Sequence, residues 1–232
     1  MRQAVLGAVL GVVLSLGAQV VQAQSCRVAL TLALDVSSSV DADEYDLQLE
    51  GLAAALEDRA VRAAIFQLPG TGIALQAFEW SGTREQTIIQ DWSEMRGPAD
   101  LDRMAANLRA HKRSFFGGQT ALGEAIRFGL HQRRRGPVCD TMKIDVSGDG
   151  QSNDGQRPDW VYWEEDFKGV TVNGLAIEQN VAGLEYYYNG YVIRGPDAFV
   201  VRALNFHDYA RAIRDKLIRE LGVAQLGMLD TR

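Results

Sequence analysis

The sequence is poor in the side chains that most often act as catalytic nucleophiles and bases. It has three histidines and two cysteines in 232 residues, and no Gly-x-Ser-x-Gly motif to present a serine nucleophile. His111, His131 and His207 each fall on a predicted helix or at its end, with no nucleophile beside them in the sequence. We therefore interpret them as surface or partly buried residues.

The sequence also lacks a surplus of positive charge. Lysine and arginine number 24 against 30 acidic residues, which gives a formal net charge of −6 at pH 7. An acidic protein does not attract polyanions, so nucleic-acid binding is disfavoured. We expect the one basic cluster, Arg133 to Arg135, to lie at the solvated C-terminal end of a helix, where cations complement the helix dipole.

A long apolar run occurs only at the N-terminus. A short basic start is followed by small and apolar residues from Ala4 to Val21, and Val21-Gln22-Ala23 matches a small-x-small cleavage site. This pattern is typical of a secretory signal peptide. It predicts that residues 1–23 are removed and that residues 24–232 form a single domain, periplasmic or secreted, with no retained transmembrane segment. A retained membrane anchor is the alternative.

The two cysteines are Cys26 and Cys139, and each precedes an apolar, strand-like run. Export would place them in an oxidising compartment, where an even count favours a disulfide. Two separate buried thiols are the alternative.

Strand and helix patterns alternate along the chain, without repeats or linkers. Strand patterns cover 27–35, 72–80, 84–90, 142–147, 170–177 and 198–202, and helical patterns cover 41–66, 120–135, 159–168, 206–221 and a segment that begins at Pro98. The third strand follows the second through a short turn, which favours a hairpin. The order predicts an α/β fold with a doubly wound, mostly parallel six-stranded sheet, helices on both faces and one antiparallel edge strand.

Three polar loops accompany these elements. Asp35-x-Ser37-x-Ser39 follows the first strand, a Gly-Gly-Gln segment ending in Thr120 opens a helix, and a Gly-Asp-Gly turn centred on Asp149 follows the fourth strand. Ligands of such sheets bind beyond the carboxyl ends of the strands. Carboxylates and hydroxyls without imidazole or thiolate suit Mg²⁺, with Mn²⁺ or Ca²⁺ as alternatives. Taken alone, the serines could instead serve helix capping and turn formation.

The ordered set of Asp35, Ser37, Ser39, Thr120 and Asp149 resembles the metal-ion-dependent adhesion site (MIDAS) of the von Willebrand factor A (vWA) domain. The resemblance runs from Cys26 to about Leu221, and the segments 144–150, 172–177 and 192–199 are similar to proteobacterial secreted vWA domains of unassigned function. It implies that the first four residues hold the metal directly or through water, and that Asp149 often acts through water. One coordination position is then left for water or for a partner's carboxylate.

The same resemblance implies that the first and fourth strands are parallel neighbours. Cys26 and Cys139 would then lie near each other at the edge opposite the metal loops, within reach of a disulfide.

The functional expectation that follows is an exported, metal-dependent binding module, not an enzyme, that captures a protein ligand through Asp or Glu. One alternative is a structural component of an envelope complex in which the metal only stabilises the fold. Another is a metal-dependent hydrolase, for which Asp145 is the nearest acid in the sequence. A strand residue at that position is expected to be structural.

Aromatic residues near the third loop are candidate contacts for a partner, because tyrosine and tryptophan are enriched at interfaces. These residues are Trp160, Trp163, Tyr186, Tyr187 and Tyr188. The alternatives are that the tyrosines form a packed insertion over the end of the sheet and that the tryptophans anchor a helix.

Overall fold

One six-stranded sheet organises the chain. The computed structural model describes residues 25–222, so the predicted signal peptide lies outside the described residues. The strands are β1 (Ser25–Asp35), β2 (Thr71–Trp80), β3 (Gln86–Glu94), β4 (Thr141–Gly148), β5 (Val170–Ile177) and β6 (Val200–Ala203). The helices are α1 (Ala42–Glu57), α2 (Arg59–Phe66), α3 (Pro98–Ala110), α4 (Leu122–Gln132), α5 (Pro158–Glu164), α6 (Leu184–Tyr187) and α7 (Tyr209–Leu221). A π-helical turn (Tyr188–Val192) follows α6, and a 3-10 turn (Phe206–Asp208) precedes α7.

The strand order is β3-β2-β1-β4-β5-β6, with β3 antiparallel and the other neighbours parallel. This confirms the predicted sheet and its antiparallel edge strand. Leu34 of β1 pairs with Ser147 of β4, so the two strands end together at one edge. The loops that follow β1 and β4 therefore start side by side.

Two apolar layers cover the two faces of the sheet. Along β1, Leu30, Leu32 and Leu34 pack into one layer with α1, α2, α3 and α7. Ala33 of β1 belongs to the opposite layer, with α4 and α5. Side chains alternate between the faces of a strand, so a central strand covered on both sides is apolar along most of its length.

One helix prediction is wrong in detail. The segment 41–66 is not one helix, because the chain breaks at Asp58, whose backbone is extended between α1 and α2. The Asp58 side chain accepts hydrogen bonds from the backbone N–H groups of Ala60 and Val61. Asp is a favoured N-cap residue, and this cap starts a second helix.

The strand β3 begins later than predicted, at Gln86 instead of Arg84. The Ser81 N–H donates to the Glu85 carbonyl at 2.9 Å, and the Glu85 N–H donates to the Gly82 carbonyl at 3.0 Å. These bonds keep the turn closed through Glu85, so the strand starts after it.

The disulfide joins Cys26 and Cys139 at the start of β1 and just before β4, across 113 residues of sequence. A crosslink over such a loop restricts the unfolded chain and stabilises the fold by about 2–5 kcal/mol. No helix within residues 25–222 is long and apolar enough to cross a membrane.

Candidate metal site

The three polar loops meet at the edge where β1 and β4 end. The Ser38 N–H donates to the Gly118 carbonyl at 2.8 Å, which joins the first loop to the second. The Ser39 hydroxyl donates to Oδ1 of Asp149 at 2.7 Å, which joins the first loop to the third. The structure thus brings the predicted ligand residues together in one place.

Asp35 is the last residue of β1 and is fully buried. Its Oδ1 accepts a hydrogen bond from the Ser37 N–H at 2.7 Å, and its backbone carbonyl accepts one from Nε2 of Gln48 at 3.0 Å. Its other carboxylate oxygen, Oδ2, has no hydrogen-bond partner among residues 25–222. One oxygen of Asp35 is therefore held by the loop and the other is unsatisfied.

Three hydroxyl groups complete the cluster. The Ser37 side chain is buried, and its Oγ lies 3.2 Å from Oγ of Ser39. Thr120 is buried and is fixed from both sides by Asn153: its N–H donates to Oδ1 of Asn153 at 2.8 Å, and its carbonyl accepts the Asn153 N–H at 3.0 Å. Sequence reasoning missed Asn153, because an Asn in a glycine-rich loop is an ordinary turn residue.

The two carboxylates of the cluster destabilise each other's charge. Burial first, and then the charge of Asp149, raise the pKa of Asp35 to about 7. The pKa of Asp149 is also raised, mainly by burial and further by the charge of Glu44. Oδ2 of Asp149 is buried without a hydrogen-bond partner in the described part of the chain, like Oδ2 of Asp35.

This arrangement fits a hard divalent cation. A cation would satisfy the unpartnered carboxylate oxygens and compensate two buried negative charges. No group of three or more His, Cys, Asp or Glu side chains able to hold a metal occurs within the described residues, so hydroxyls must provide the rest of the donors. Hydroxyls and carboxylates are the oxygen ligands that Mg²⁺ and Ca²⁺ prefer, whereas Zn²⁺ sites are usually built from Cys and His.

Arg113 supports the first loop and was not recognised from the sequence. Its Nη2 donates to the carbonyls of Val36 and Ser37 at 2.7 and 3.1 Å, and its Nη1 donates to the Val40 carbonyl at 2.8 Å. One guanidinium therefore holds the backbone that presents the two serines. A single arginine in a loop carries no pattern that would reveal this contact.

The predicted partner residues divide into an exposed set and a buried one. Trp160, Trp163 and Tyr186 are 55%, 79% and 82% exposed, and Tyr187 is half-buried, with its hydroxyl accepting the Ser152 N–H at 3.2 Å. Tyr188 is fully buried, so the prediction that it contacts a partner is wrong. Burial of Tyr188 follows from its place in the apolar layer that contains residues of the sheet, α4 and α5.

Asp145 lies elsewhere. It is fully buried within β4, and Nζ of Lys216 in α7 lies 2.8 Å from its Oδ1. The same ammonium donates to Oε1 of Glu220 at 2.7 Å. Asp145 thus belongs to a buried ionic cluster between the sheet and α7. This position agrees with the structural role that is expected for it.

Known structures share this architecture. Proximal thread matrix protein 1 from the mussel byssus matches with a TM-score of 0.59 at 14% identity, over 85% of this chain and 46% of that one. A structure of that protein with a zinc-occupied MIDAS motif matches with a TM-score of 0.57 at 15% identity, over 85% and 46%. The von Willebrand factor type A protein from Catenulispora acidiphila matches with a TM-score of 0.56 at 13% identity, over 85% and 43%.

The chain therefore has the fold of a vWA domain, as the sequence predicts. It belongs to the family described as "Protein of unknown function (DUF1194)", whose model matches residues 25–225. The chain spans less than half the length of the mussel and Catenulispora proteins, but 98% of BatB from Bacteroides thetaiotaomicron is covered, with a TM-score of 0.52 at 17% identity. No curated protein matches the sequence.

Proposed function

We propose that this protein is a divalent-cation-dependent binding module, not an enzyme, which captures a protein ligand through an acidic side chain. The observation that carries the proposal is the pair of buried carboxylate oxygens, Oδ2 of Asp35 and Oδ2 of Asp149, that no described group satisfies. They lie in a cluster of hydroxyls at the exposed edge of a vWA fold. Within this cluster Ser39 is exposed to solvent, so a ligand has access to it.

The residues that would hold the cation are Asp35, Ser37, Ser39, Thr120 and Asp149, and Mg²⁺ suits them best, with Mn²⁺ or Ca²⁺ as alternatives. When bound, the cation supplies a Lewis-acidic position that attracts a carboxylate. The chain's own residues orient the donors: the Ser37 N–H holds Asp35, Asn153 holds Thr120, and Arg113 holds the loop of the serines.

We also propose that the protein is exported and that its partner lies outside the cytoplasm. The proposed signal peptide, residues 1–23, would direct the single domain 24–232 to the periplasm or beyond, with no transmembrane segment retained. The disulfide between Cys26 and Cys139 is consistent with such an oxidising compartment.

The aromatic residues near the third loop are the proposed secondary contacts. Trp160 and Trp163 stand on one side of α5 with ring centroids 6.2 Å apart, and Tyr187 and Tyr191 lie 5.1 Å apart beyond the loop that contains Ser152. Metal capture of a carboxylate is not selective by itself. Exposed aromatic rings beside the site would add the apolar contacts that distinguish one acidic partner from another.

The test is thermal unfolding of the mature protein in EDTA and then in Mg²⁺, Mn²⁺ or Ca²⁺. A cation that binds only the folded state adds about 2.7 kcal/mol at a hundredfold excess over its Kd. We expect a metal-dependent rise in the wild type and in Asp140→Ala, an exposed acidic residue beside the disulfide, and none in Asp35→Ala. The proposal would be contradicted if the metals changed the unfolding temperature of all three proteins by the same amount, or of none of them.

A fold-stabilising cation within an envelope complex is the second candidate. It is favoured by the burial of Asp35, Ser37, Thr120 and Asp149, each at most 4% exposed. A pull-down with this protein from envelope extract, with and without EDTA, distinguishes the two functions. A partner retained in EDTA, at a temperature where the apoprotein is folded, would favour the structural role.

A further inference from the structure

Tyr188 places a hydroxyl group behind the candidate metal site. Its side chain is fully buried, and its hydroxyl has no hydrogen-bond partner among the described residues. The neighbouring Gly148 lies between this hydroxyl and Asp35. A Cβ at Gly148 would stand 2.7 Å from the Tyr188 hydroxyl oxygen and also 2.7 Å from Oδ2 of Asp35. The two unpartnered oxygen atoms therefore border the same small space.

The chain makes room for this tyrosine in two strands. At Gly148, the last residue of β4, any side chain would fill the space between Asp35 and Tyr188. At Gly174 of β5, a Cβ would stand only 2.6 Å from Cδ1 of the Tyr188 ring. Real Cβ atoms do not approach so closely, so both strands need glycine for the ring to lie under the site.

The backbone at Tyr188 is also unusual. Tyr188 begins the π-helical turn, in which the Ile193 N–H donates to the Tyr188 carbonyl at 3.0 Å. Single π-helical turns are rare and occur frequently at functional sites. Here the turn directs one tyrosine inward while Tyr186, two residues earlier, is exposed.

The phenol is able to donate. A tyrosine side chain has an ordinary pKa of about 10, so it is neutral and carries its hydroxyl proton at neutral pH. The third atom near the Gly148 position is Cζ2 of Trp80, at 3.3 Å, so one wall of the space is apolar. A hydrogen bond from a neutral donor to a carboxylate is stronger in such surroundings than in water.

We propose that Tyr188 is a positioning residue of the metal site, whose hydroxyl donates a hydrogen bond to Oδ2 of Asp35 once that carboxylate holds a cation; the structure itself contains no hydrogen bond between the two. Oδ1 of Asp35 is already held by the Ser37 N–H, so the second bond fixes the orientation of the whole carboxylate. Outer groups of this kind raise metal affinity by orienting the ligands that touch the metal. The inference rests on the proposed function, because it gives Tyr188 a role only if the site binds a cation.

The test compares two Tyr→Phe substitutions that each remove one hydroxyl. Tyr188→Phe removes the proposed donor and keeps the ring. Tyr162→Phe is the matched control, because the hydroxyl of the partly buried Tyr162 donates to the carbonyl of Val192 at the end of the same π-helical turn. Calorimetric titration with Mg²⁺ and Mn²⁺ is run below the unfolding range of all proteins, and the unfolding temperature is measured in EDTA.

We expect Tyr188→Phe to raise the Kd for the cation by about 10–100-fold, with a small change of unfolding temperature in EDTA, and Tyr162→Phe to keep the wild-type Kd. An unchanged Kd in Tyr188→Phe overturns the inference and leaves the proposed function standing. The same is true if Tyr162→Phe weakens binding equally, because the turn and not the hydroxyl would then be responsible. A wild type that binds neither cation overturns the proposed function and this inference together.

Discussion

Two buried carboxylate clusters lie within the same domain, and they differ in where the positive charge comes from. Asp145 of β4 shares its cluster with Glu220, and Lys216 places an ammonium within 2.8 Å of both. Asp35 shares its cluster with Asp149, and no cationic side chain of the described chain contacts either of these carboxylates. One cluster contains a cation of the chain itself, which compensates one of its two carboxylates, and the other contains none among the described residues.

The comparison separates a cluster that contains its own cation from one that is proposed to bind a cation. The Lys216 cluster also contains buried oxygens without a hydrogen-bond partner, both of Asp145 and Oε2 of Glu220, but it holds the fully buried ammonium of Lys216. The Asp35 cluster keeps two unsatisfied oxygens and an exposed serine. Buried charges are usually paired or bound to a metal. The unpaired cluster is therefore the one that a cation would complete.

The largest effect is expected from removing the internal cation. Lys216→Met preserves volume but leaves two buried carboxylates without their partner, which should cost about 3–5 kcal/mol. For a domain of this size the unfolding temperature should fall by about 6–20 °C. Lys168→Met, at an exposed lysine, is the control. Adding Asp145→Asn to Lys216→Met should recover part of the loss, and failure to do so would contradict the view that charge compensation is the role of Lys216.

In the Asp35 cluster, by contrast, a substitution that removes a charge is expected to stabilise the apoprotein. In EDTA at pH 8, Asp35→Asn removes one of two mutually repelling buried charges, so it should stabilise the apoprotein, by on the order of 1–3 kcal/mol. The same substitution should abolish the stabilisation by Mg²⁺. Chemical denaturation of wild type, Asp35→Asn and the exposed control Asp140→Asn measures both effects. A loss of stability in EDTA for Asp35→Asn would show that its hydrogen bond to Ser37 outweighs the repulsion.

The sequence predicts the two clusters unequally well. The loops of Asp35 and Asp149 follow strand patterns, and parallel strands end at a common edge, so local patterns place these residues together. Lys216 and Glu220 are spaced i, i+4 on a helix, which is more often a solvent-exposed pair, and nothing local shows that they are buried. Their position depends on how α7 packs on the sheet.

The contacts that support the metal loops also could not be predicted from the sequence. Arg113, Asn153 and Tyr188 come from a loop, a turn and a π-helical turn, and each reaches residues far away in the sequence. Hydrophobic periodicity identifies a helix or strand, but it does not show which distant side chains that element or its loops contact. By contrast, the break at Asp58 was visible in principle, because Asp followed by Arg-Ala-Val is a plausible helix start inside the apolar pattern.

Measured per pH unit, the smallest effect expected is a pH dependence of stability that reports on both clusters. The pKa of Asp35 and that of Asp145 are each raised to about 7, chiefly by burial, from ordinary unfolded values near 4. Between about pH 4 and 7 the folded protein therefore holds protons that the unfolded chain has lost. The stability of the apoprotein must then fall as pH rises through this window, by at most about 1.4 kcal/mol per pH unit for each group, and level off above it.

Saturating Mg²⁺ should remove the contribution of Asp35 to this slope, because the cation displaces the proton, and should leave that of Asp145. Denaturation at pH 5, 6, 7 and 8, in EDTA and in Mg²⁺, gives the difference directly. The stabilisation by Mg²⁺ should grow with pH up to about 7 in the wild type, and should be absent at every pH in Asp35→Asn. A Mg²⁺ effect that does not vary with pH would mean that Asp35 is already ionised in the apoprotein, and that the loops compensate its charge without a metal.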